Sequence, residues 1–147
     1  MVIFIISVLV LALDQLTKRL ISIYFYLGQS QPIIKNIFHL TLVHNKGVAF
    51  GLFCQKAALF VFISSIVIIL IVVSFPKIKG RCLLLKTGLS LILGGALGNL
   101  IDRLVFGYVI DFLDFRIWPV FNIADSAITI GAGLLVLHLL KTKKPKT

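Results

Sequence analysis

Four long apolar runs divide the chain: about Val2–Tyr24, Ala57–Phe75, Leu83–Leu104 and Val120–Leu140. Each is long enough to cross the roughly 30 Å hydrocarbon core of a bilayer as a helix, and little chain remains between them. The pattern predicts a mainly α membrane protein, a single domain over residues 1–147 with four transmembrane helices. No internal repeat or low-complexity tract interrupts it. Between the first and second runs the period changes. "IFHLTLV" (Ile37–Val43) alternates in part, His44-Asn45-Lys46-Gly47 supplies turn chemistry, and "VAFGLF" returns to apolar residues. A small β-hairpin or cradle on the outer face is expected here, with Asn45 in its turn. The first run has no basic residue ahead of it and no A-x-A-like cleavage site, and it carries Asp14 and Lys18. It is read as a retained helix and not as a removed signal.

Composition supports the membrane assignment. The chain is 59% hydrophobic and its mean hydropathy is +1.09, more apolar than the surface of a water-soluble domain of this size permits. The net charge is +10, which in a soluble protein would suggest nucleic acid. Here the basic residues are densest at Lys77, Lys79, Arg81 and Lys86 and in the tail at Lys141, Lys143, Lys144 and Lys146. Two spans separate these clusters, so both fall on one side, and the positive-inside rule makes that side cytoplasmic, together with the N-terminus. No basic stripe interleaved with aromatics lies on a soluble face, so no nucleic acid partner is expected. Cys54 and Cys82 fall on opposite sides in this topology, which excludes a disulfide or a shared metal and leaves them as packing residues.

Depth can then be read from position. The first helix runs outward and carries Asp14 and Lys18 in its outer part. The third runs outward and ends in Asn99, Asp102 and Arg103. The fourth runs inward, with Asn122 and Asp125 in its first turns; Asp125 lies about 7–8 Å along it. Three helices thus place their polar groups at one level, just beneath the outer surface. Asp14 and Lys18 are four residues apart, and Asn99/Asp102 and Asn122/Asp125 three apart, so each pair shares a helix face. Those faces must point inward, because an acid facing lipid costs about 2.5–3.5 kcal/mol even on the mildest scale. Gly94, Gly95 and Gly98, with Ala127 and Gly131 on the fourth run, allow the close helix approach this requires.

The chain has five acidic residues, all aspartates: Asp14, Asp102, Asp111, Asp114 and Asp125. Two carboxylates close together in a partly dry site share a proton. One then serves as base on a water while the other protonates the carbonyl under attack. That is aspartyl-protease chemistry. The histidines, His39, His44 and His138, have no ligand spacing, so no metal or cofactor is expected. Ser126 lies about 100° around the helix from Asp125 and has no nucleophile elbow, and no phosphate-binding loop is present. Structural roles compete at several positions. Asp14–Lys18 reads also as an intrahelical pair, Asp102 beside Arg103 as a helix-end anchor, and Asp114 with Arg116 as a solvated loop pair. Asn45 reads as satisfying its turn, and Asn99 and Asn122 as bridging helices. Asp111 and Asp125 have no base within four residues. From the residues alone, both Asp102 and Asp111 stay open as the partner of Asp125. So do two other uses of the acids: a polar path in a small transporter or lipid-binding module, and a metal site in an enzyme of lipid-linked substrates.

"DQLTK" (Asp14–Lys18), "NKGVAF" (Asn45–Phe50), "GGALGNLIDR" (Gly94–Arg103), "VIDF" (Val109–Phe112) and "FNIADS" (Phe121–Ser126) resemble, in order, five blocks of bacterial lipoprotein signal peptidase, or signal peptidase II. The resemblance covers nearly the whole chain. It implies a four-helix aspartyl endopeptidase of the bacterial inner membrane, with a β-cradle at the outer face; a monomer is expected. Its implied partners are membrane lipid and diacylglyceryl-modified prolipoproteins, cut just before the lipidated Cys. By motif, Asp111 and Asp125 are the implied catalytic pair. Asn45, Asn99, Arg103 and Asn122 are the implied substrate-holding lining, and Asp14, Lys18 and Asp102 the support. One departure is the short link "LDFRIWP" after Asp111, which leaves the shape of that outer loop open.

Overall fold

The computed structural model describes residues 2–47, 57–78 and 82–142. Among them the order is α1 (Val2–Tyr24), β1 (Ser30–Ile34), β2 (Phe38–Asn45), α2 (Ala57–Ile78), α3 (Leu83–Phe106), β3 (Val109–Asp114) and α4 (Ile123–Thr142). Each apolar run has become a helix, and the differences lie at the ends. α3 continues to Phe106 and stops because Gly107 takes the left-handed conformation (φ 79°), its N–H closing on the Arg103 carbonyl at 3.1 Å. α4 begins at Ile123, three residues later than the apolar run, because Asn122 caps it. The Asn122 side-chain oxygen accepts the Asp125 N–H at 2.8 Å, and its carbonyl the Ser126 N–H at 3.2 Å. Asp125 therefore sits in the first turn, only about 3 Å along the helix.

α3 lies between α1, α2 and α4 and touches all of them. Its glycines set the approach. Gly94 faces the Ser7 carbonyl and Val10 on α1, and Gly98 faces the Asp14 carboxylate. Gly95 faces the Ala124 carbonyl and Ile128 on α4, and Gly88 and Gly131 face one another across α3 and α4. Ser7 also donates to the Ser90 carbonyl at 2.9 Å.

The distribution of polarity is inverted relative to a water-soluble bundle. On α1 the buried residues are Ser7, Asp14, Lys18 and Ile21, while Phe4, Val8, Leu9, Leu16 and Ile23 are exposed. α3 and α4 are long and apolar enough to cross a membrane, and α2 carries an apolar stretch at Ala58–Ser74. Such an array of outward Leu, Ile, Val and Phe is stable only where the surroundings are themselves apolar.

The sheet is antiparallel, in the order β1-β2-β3. A hairpin between α1 and α2 is present, but β1 and β2 make it, and β3 adds a third strand. β2 pairs with the strand before it (Ser30 opposite Thr41) and with β3 (Val43 opposite Asp111, Asn45 opposite Val109). The turn between β1 and β2 is made at Asn36, which tolerates a left-handed φ of 62°, and Ile37 N–H closes on the Ile34 carbonyl at 3.0 Å. The returning segment "VAFGLF" lies outside the described residues, as does Cys54; Cys82 is exposed just before α3 and is not a packing residue. Leu42, Ile110 and Phe112 of the sheet pack with Ile21 of α1, which seats the sheet on the end of the helices. After β3 the chain folds back through residues 115–120. Phe121 N–H bonds the Leu113 carbonyl at 3.1 Å and Leu113 N–H the Phe121 carbonyl at 2.8 Å. That closure sets Asn122 and the start of α4 beside β3.

Candidate active site

Asp111 is buried in β3, and each of its carboxylate oxygens accepts one carboxamide. Asn122 Nδ2 donates to Oδ1 at 2.7 Å and Asn45 Nδ2 to Oδ2 at 2.8 Å. Asp125 Oδ1 accepts Asn99 Nδ2 at 2.7 Å. Asn122 joins the two halves. Its Nδ2 also reaches Asn99 Oδ1 at 3.1 Å and the Ile110 carbonyl at 3.3 Å, while its Oδ1 caps Asp125 N–H. Among the described residues neither Asp111 nor Asp125 has an ion-pair partner. Burial, followed by the charge of Asp125, raises the Asp111 pKa from its ordinary 3.8 to about 7, against the pull of the Asn45 and Asn122 bonds and of Lys18. Asp111 therefore keeps its proton well above the ordinary carboxylate range and loses it near neutrality.

Asn45 serves two elements. Its Oδ1 accepts the Gly47 N–H at 2.9 Å, the turn role expected from sequence, which leaves its NH₂ free for Asp111. Gly47 (φ 89°) is pressed against the Phe60 ring, where a Cβ would come within 2.6 Å. The end of β2 is thereby held against α2.

Beneath this layer lies a buried ionic cluster. Lys18 Nζ contacts Asp14 at 2.8 Å, Asp102 at 2.9 Å and Asn99 Oδ1 at 3.0 Å, which occupies its three donors. The Asp14–Lys18 pair is thus not only intrahelical; it ties α1 to α3. Asp14 also accepts the Ala124 N–H at 2.9 Å, capping α4 from a different helix. Asp102 accepts Ile110 N–H at 3.1 Å and Gln15 Nε2 at 2.9 Å, so its oxygens hold the start of β3 and the Lys18 charge. It is more than a helix-end anchor, and it shares the Lys18 charge with Asp14. Gln15, which sequence reasoning passed over, also donates to Asp14 at 3.3 Å and to the Gly98 carbonyl at 3.2 Å. The available signal was an amide in an apolar helix, next to the acid.

Arg103 bonds the Asn99 carbonyl at 3.3 Å and lies over the Phe60 ring, 5.2 Å from its centroid. The expected Asp114–Arg116 pair forms, but Asp114 is a buried strand residue and not a solvated loop residue. It accepts Thr41 Oγ1 at 2.8 Å, Arg116 N–H at 2.9 Å and Arg116 Nη1 at 3.0 Å. Burial pushes its pKa up, but these bonds and the Arg116 charge outweigh that and hold it below the ordinary carboxylate value.

Cavities reach both carboxylates. Asp125 borders one of about 500 Å³ walled by Phe115, Trp118, Phe121 and Ile130, and another of about 240 Å³ with Phe60, Asn99 and Arg103. Asp111 borders one of about 320 Å³ with His44, Asn45, Lys46 and Pro119. The expected lining residues Asn45, Asn99 and Arg103 therefore border the cavities that reach the two acids, and Asn122 is buried between the acids. Asp14, Lys18 and Asp102 form the layer behind them.

Compared with known proteins, residues 6–141 match the family described as Signal peptidase (SPase) II. The chain belongs to the signal peptidase II family. It is 49% identical over 143 residues to the lipoprotein signal peptidase of Halothermothrix orenii, covering 97% of each chain. It is 52% identical over 134 residues to that of Moorella thermoacetica, covering 91% of this chain and 89% of the relative. Two solved structures, each described as a bacterial membrane enzyme, share 38% identity with it. They superpose with TM-scores of 0.90 and 0.87, covering 99% and 95% of this chain and 93% of each of theirs. Signal peptidase II is an aspartic peptidase family, and this member is a mainly helical enzyme of the bacterial membrane whose polar atoms converge on one end of its helices.

Proposed function

We propose that Asp111 and Asp125 are the catalytic pair of this lipoprotein signal peptidase and activate water against the peptide bond preceding a diacylglyceryl-modified cysteine. The supporting observation is the pair itself: two carboxylates, from β3 and from the first turn of α4, oriented by Asn45, Asn99 and Asn122 and lacking a cationic partner among the described residues. Family membership favours the peptidase over a permeation path as the use of these acids.

The proton of the pair starts on Asp111, the acid whose affinity for it is raised to near neutrality. Water attacks the scissile carbonyl carbon as Asp125 takes a proton from it, and Asp111 gives its proton to the carbonyl oxygen. The tetrahedral diol then collapses. The C–N bond breaks, Asp125 passes its proton to the leaving α-amine of the cysteine, and Asp111 recovers one from the diol oxygen. The amides of Asn45, Asn99 and Asn122 cost nothing to reorganise during these steps, because Lys18, Gly47 N–H and Asp125 N–H already fix them. Arg103, exposed to the cavity it shares with Asp125, holds substrate carbonyl oxygens.

All four helices span in this reading, as one membrane domain working as a monomer, with both termini cytoplasmic and the pair just beneath the outer face. The basic clusters at Lys77–Lys86 and Lys141–Lys146 support that orientation. Ile117 and Trp118, 93% and 67% exposed on the loop between β3 and α4, support the depth of the pair, since an aromatic anchor suits the headgroup level. Acyl chains of the substrate stay in lipid while the scissile amide reaches the pair. Asp111→Asn and Asp125→Asn are each expected to insert normally and to cut a diacylglyceryl precursor about 10³-fold more slowly or not at all. Near wild-type cleavage by either variant excludes that residue from the chemistry.

A further inference from the structure

The two proposed catalytic acids open into cavities of different character. The cavity of about 500 Å³ at Asp125 is walled by Phe115, Trp118, Phe121 and Ile130. The cavity of about 320 Å³ at Asp111 is lined by His44, Asn45 and Lys46 at the end of the central strand β2, together with Val43, Pro119 and Val120. Lys46 is the charge of this second space. All five acidic side chains of the protein lie at described positions, and among the described residues their ion pairs are with Lys18 and Arg116. Lys46 therefore has no carboxylate side chain to neutralise it, and it is exposed. His44 adds no charge. It stacks on Tyr108 at 3.9 Å between centroids, and burial together with the neighbouring Lys46 lowers its pKa from the ordinary 6.5.

A peptide held with its scissile bond between Asp111 and Asp125 must send one flank into each cavity. The signal-peptide flank is apolar and matches the aromatic walls beside Asp125. The flank that follows the lipidated cysteine belongs to a water-soluble mature chain and matches the more polar of the two spaces, the one beside Asp111. We propose that Lys46 determines specificity on the mature side of the cut, favouring an acidic residue shortly after the cysteine and disfavouring a basic one. This rests on the assignment of Asp111 and Asp125 to the cleavage of prolipoproteins.

The test compares two diacylglyceryl-modified precursors that differ only at the residue following the cysteine, Asp in one and Lys in the other. The wild-type enzyme in detergent at low salt is expected to show a kcat/KM about fivefold higher for the Asp precursor, carried mostly by KM, as suits a partly solvated charge pair. Lys46→Glu is expected to reverse the order, and Lys46→Gln to bring the ratio near one. Salt at 0.5 M, an ionic strength that screens exposed charges, should shrink the wild-type ratio. Because each ratio is taken on one enzyme preparation, a partly unfolded variant still gives it. An identical ratio in wild type, Lys46→Glu and Lys46→Gln would overturn the role of Lys46 and leave the peptidase assignment intact. Failure of the wild type to cut either precursor would overturn that assignment and this proposal with it.

Discussion

Asp111 carries the pH dependence at the scale of single residues. With its pKa raised to about 7, it can act as the acid below that value and loses its proton above it. Turnover is therefore expected to fall as pH rises through about 7, with an apparent constant that belongs to the pair and not to one residue. A kcat/KM profile from pH 5 to 9 checks this; a rate still rising beyond pH 8 would contradict it. Linkage gives a second sign. A carboxyl whose folded pKa is raised contributes stability that is complete below its unfolded value of 3.8 and lost as pH climbs through about 7. The thermal midpoint of the wild type should thus fall more steeply between pH 5 and 8 than that of Asp111→Asn. Lys18 behaves differently. Its removal leaves Asp14 and Asp102 buried without their cation, so Lys18→Met is expected to cost about 3–5 kcal/mol, measured by unfolding in detergent. Of these proposed roles, the pairing of Asp111 with Asp125 is suggested in the sequence only by the motif order. From residues alone Asp102 was an equal candidate, because nothing local shows that Lys18, on another helix, pairs with it.

Between elements, the decisive surface is where α3 meets α4. A methyl group at Gly95 would press on the Ala124 carbonyl and Ile128, one residue from Asp125, so Gly95→Ala should cost about 1–3 kcal/mol and reduce activity by displacing that acid. Gly133, with nothing within 4 Å of a Cβ, is the control. Gly133→Ala should be neutral or add about 0.5–1 kcal/mol of helix stability. Thermal unfolding and turnover of both variants check the contrast. The helices were readable because a 23-residue α1 or a 24-residue α3 is a predominantly apolar run long enough to span a bilayer. The strands were not. The turn at Asn36 offers one residue of signal. β3 places Asp111 and Asp114 in a strand buried almost throughout, a burial that only tertiary partners such as Asn122 and Thr41 make tolerable. The late start of α4 has the same origin, since capping by Asn122 outweighs the apolar character of Val120 and Phe121.

For the molecule as a whole, the inverted polarity is the organising fact: charged groups at the centre, apolar groups outside. In the proposed function, a chain so arranged recruits its substrate from the same lipid that solvates it. Burial of acyl chains is worth about 0.8 kcal/mol per CH₂, so a precursor lacking the diacylglyceryl group should show a KM raised at least tenfold on the same enzyme. Equal KM values would remove lipid burial from recognition. The central claim, that Asp111 and Asp125 hold one proton between them, is tested most directly by infrared titration of the carboxylic-acid C=O band, as wild type minus Asp111→Asn. A protonated band that disappears through about pH 7, and whose midpoint drops in Asp125→Asn as the neighbouring charge is removed, is the predicted result. No such band at pH 6, or a midpoint indifferent to Asp125, would contradict it.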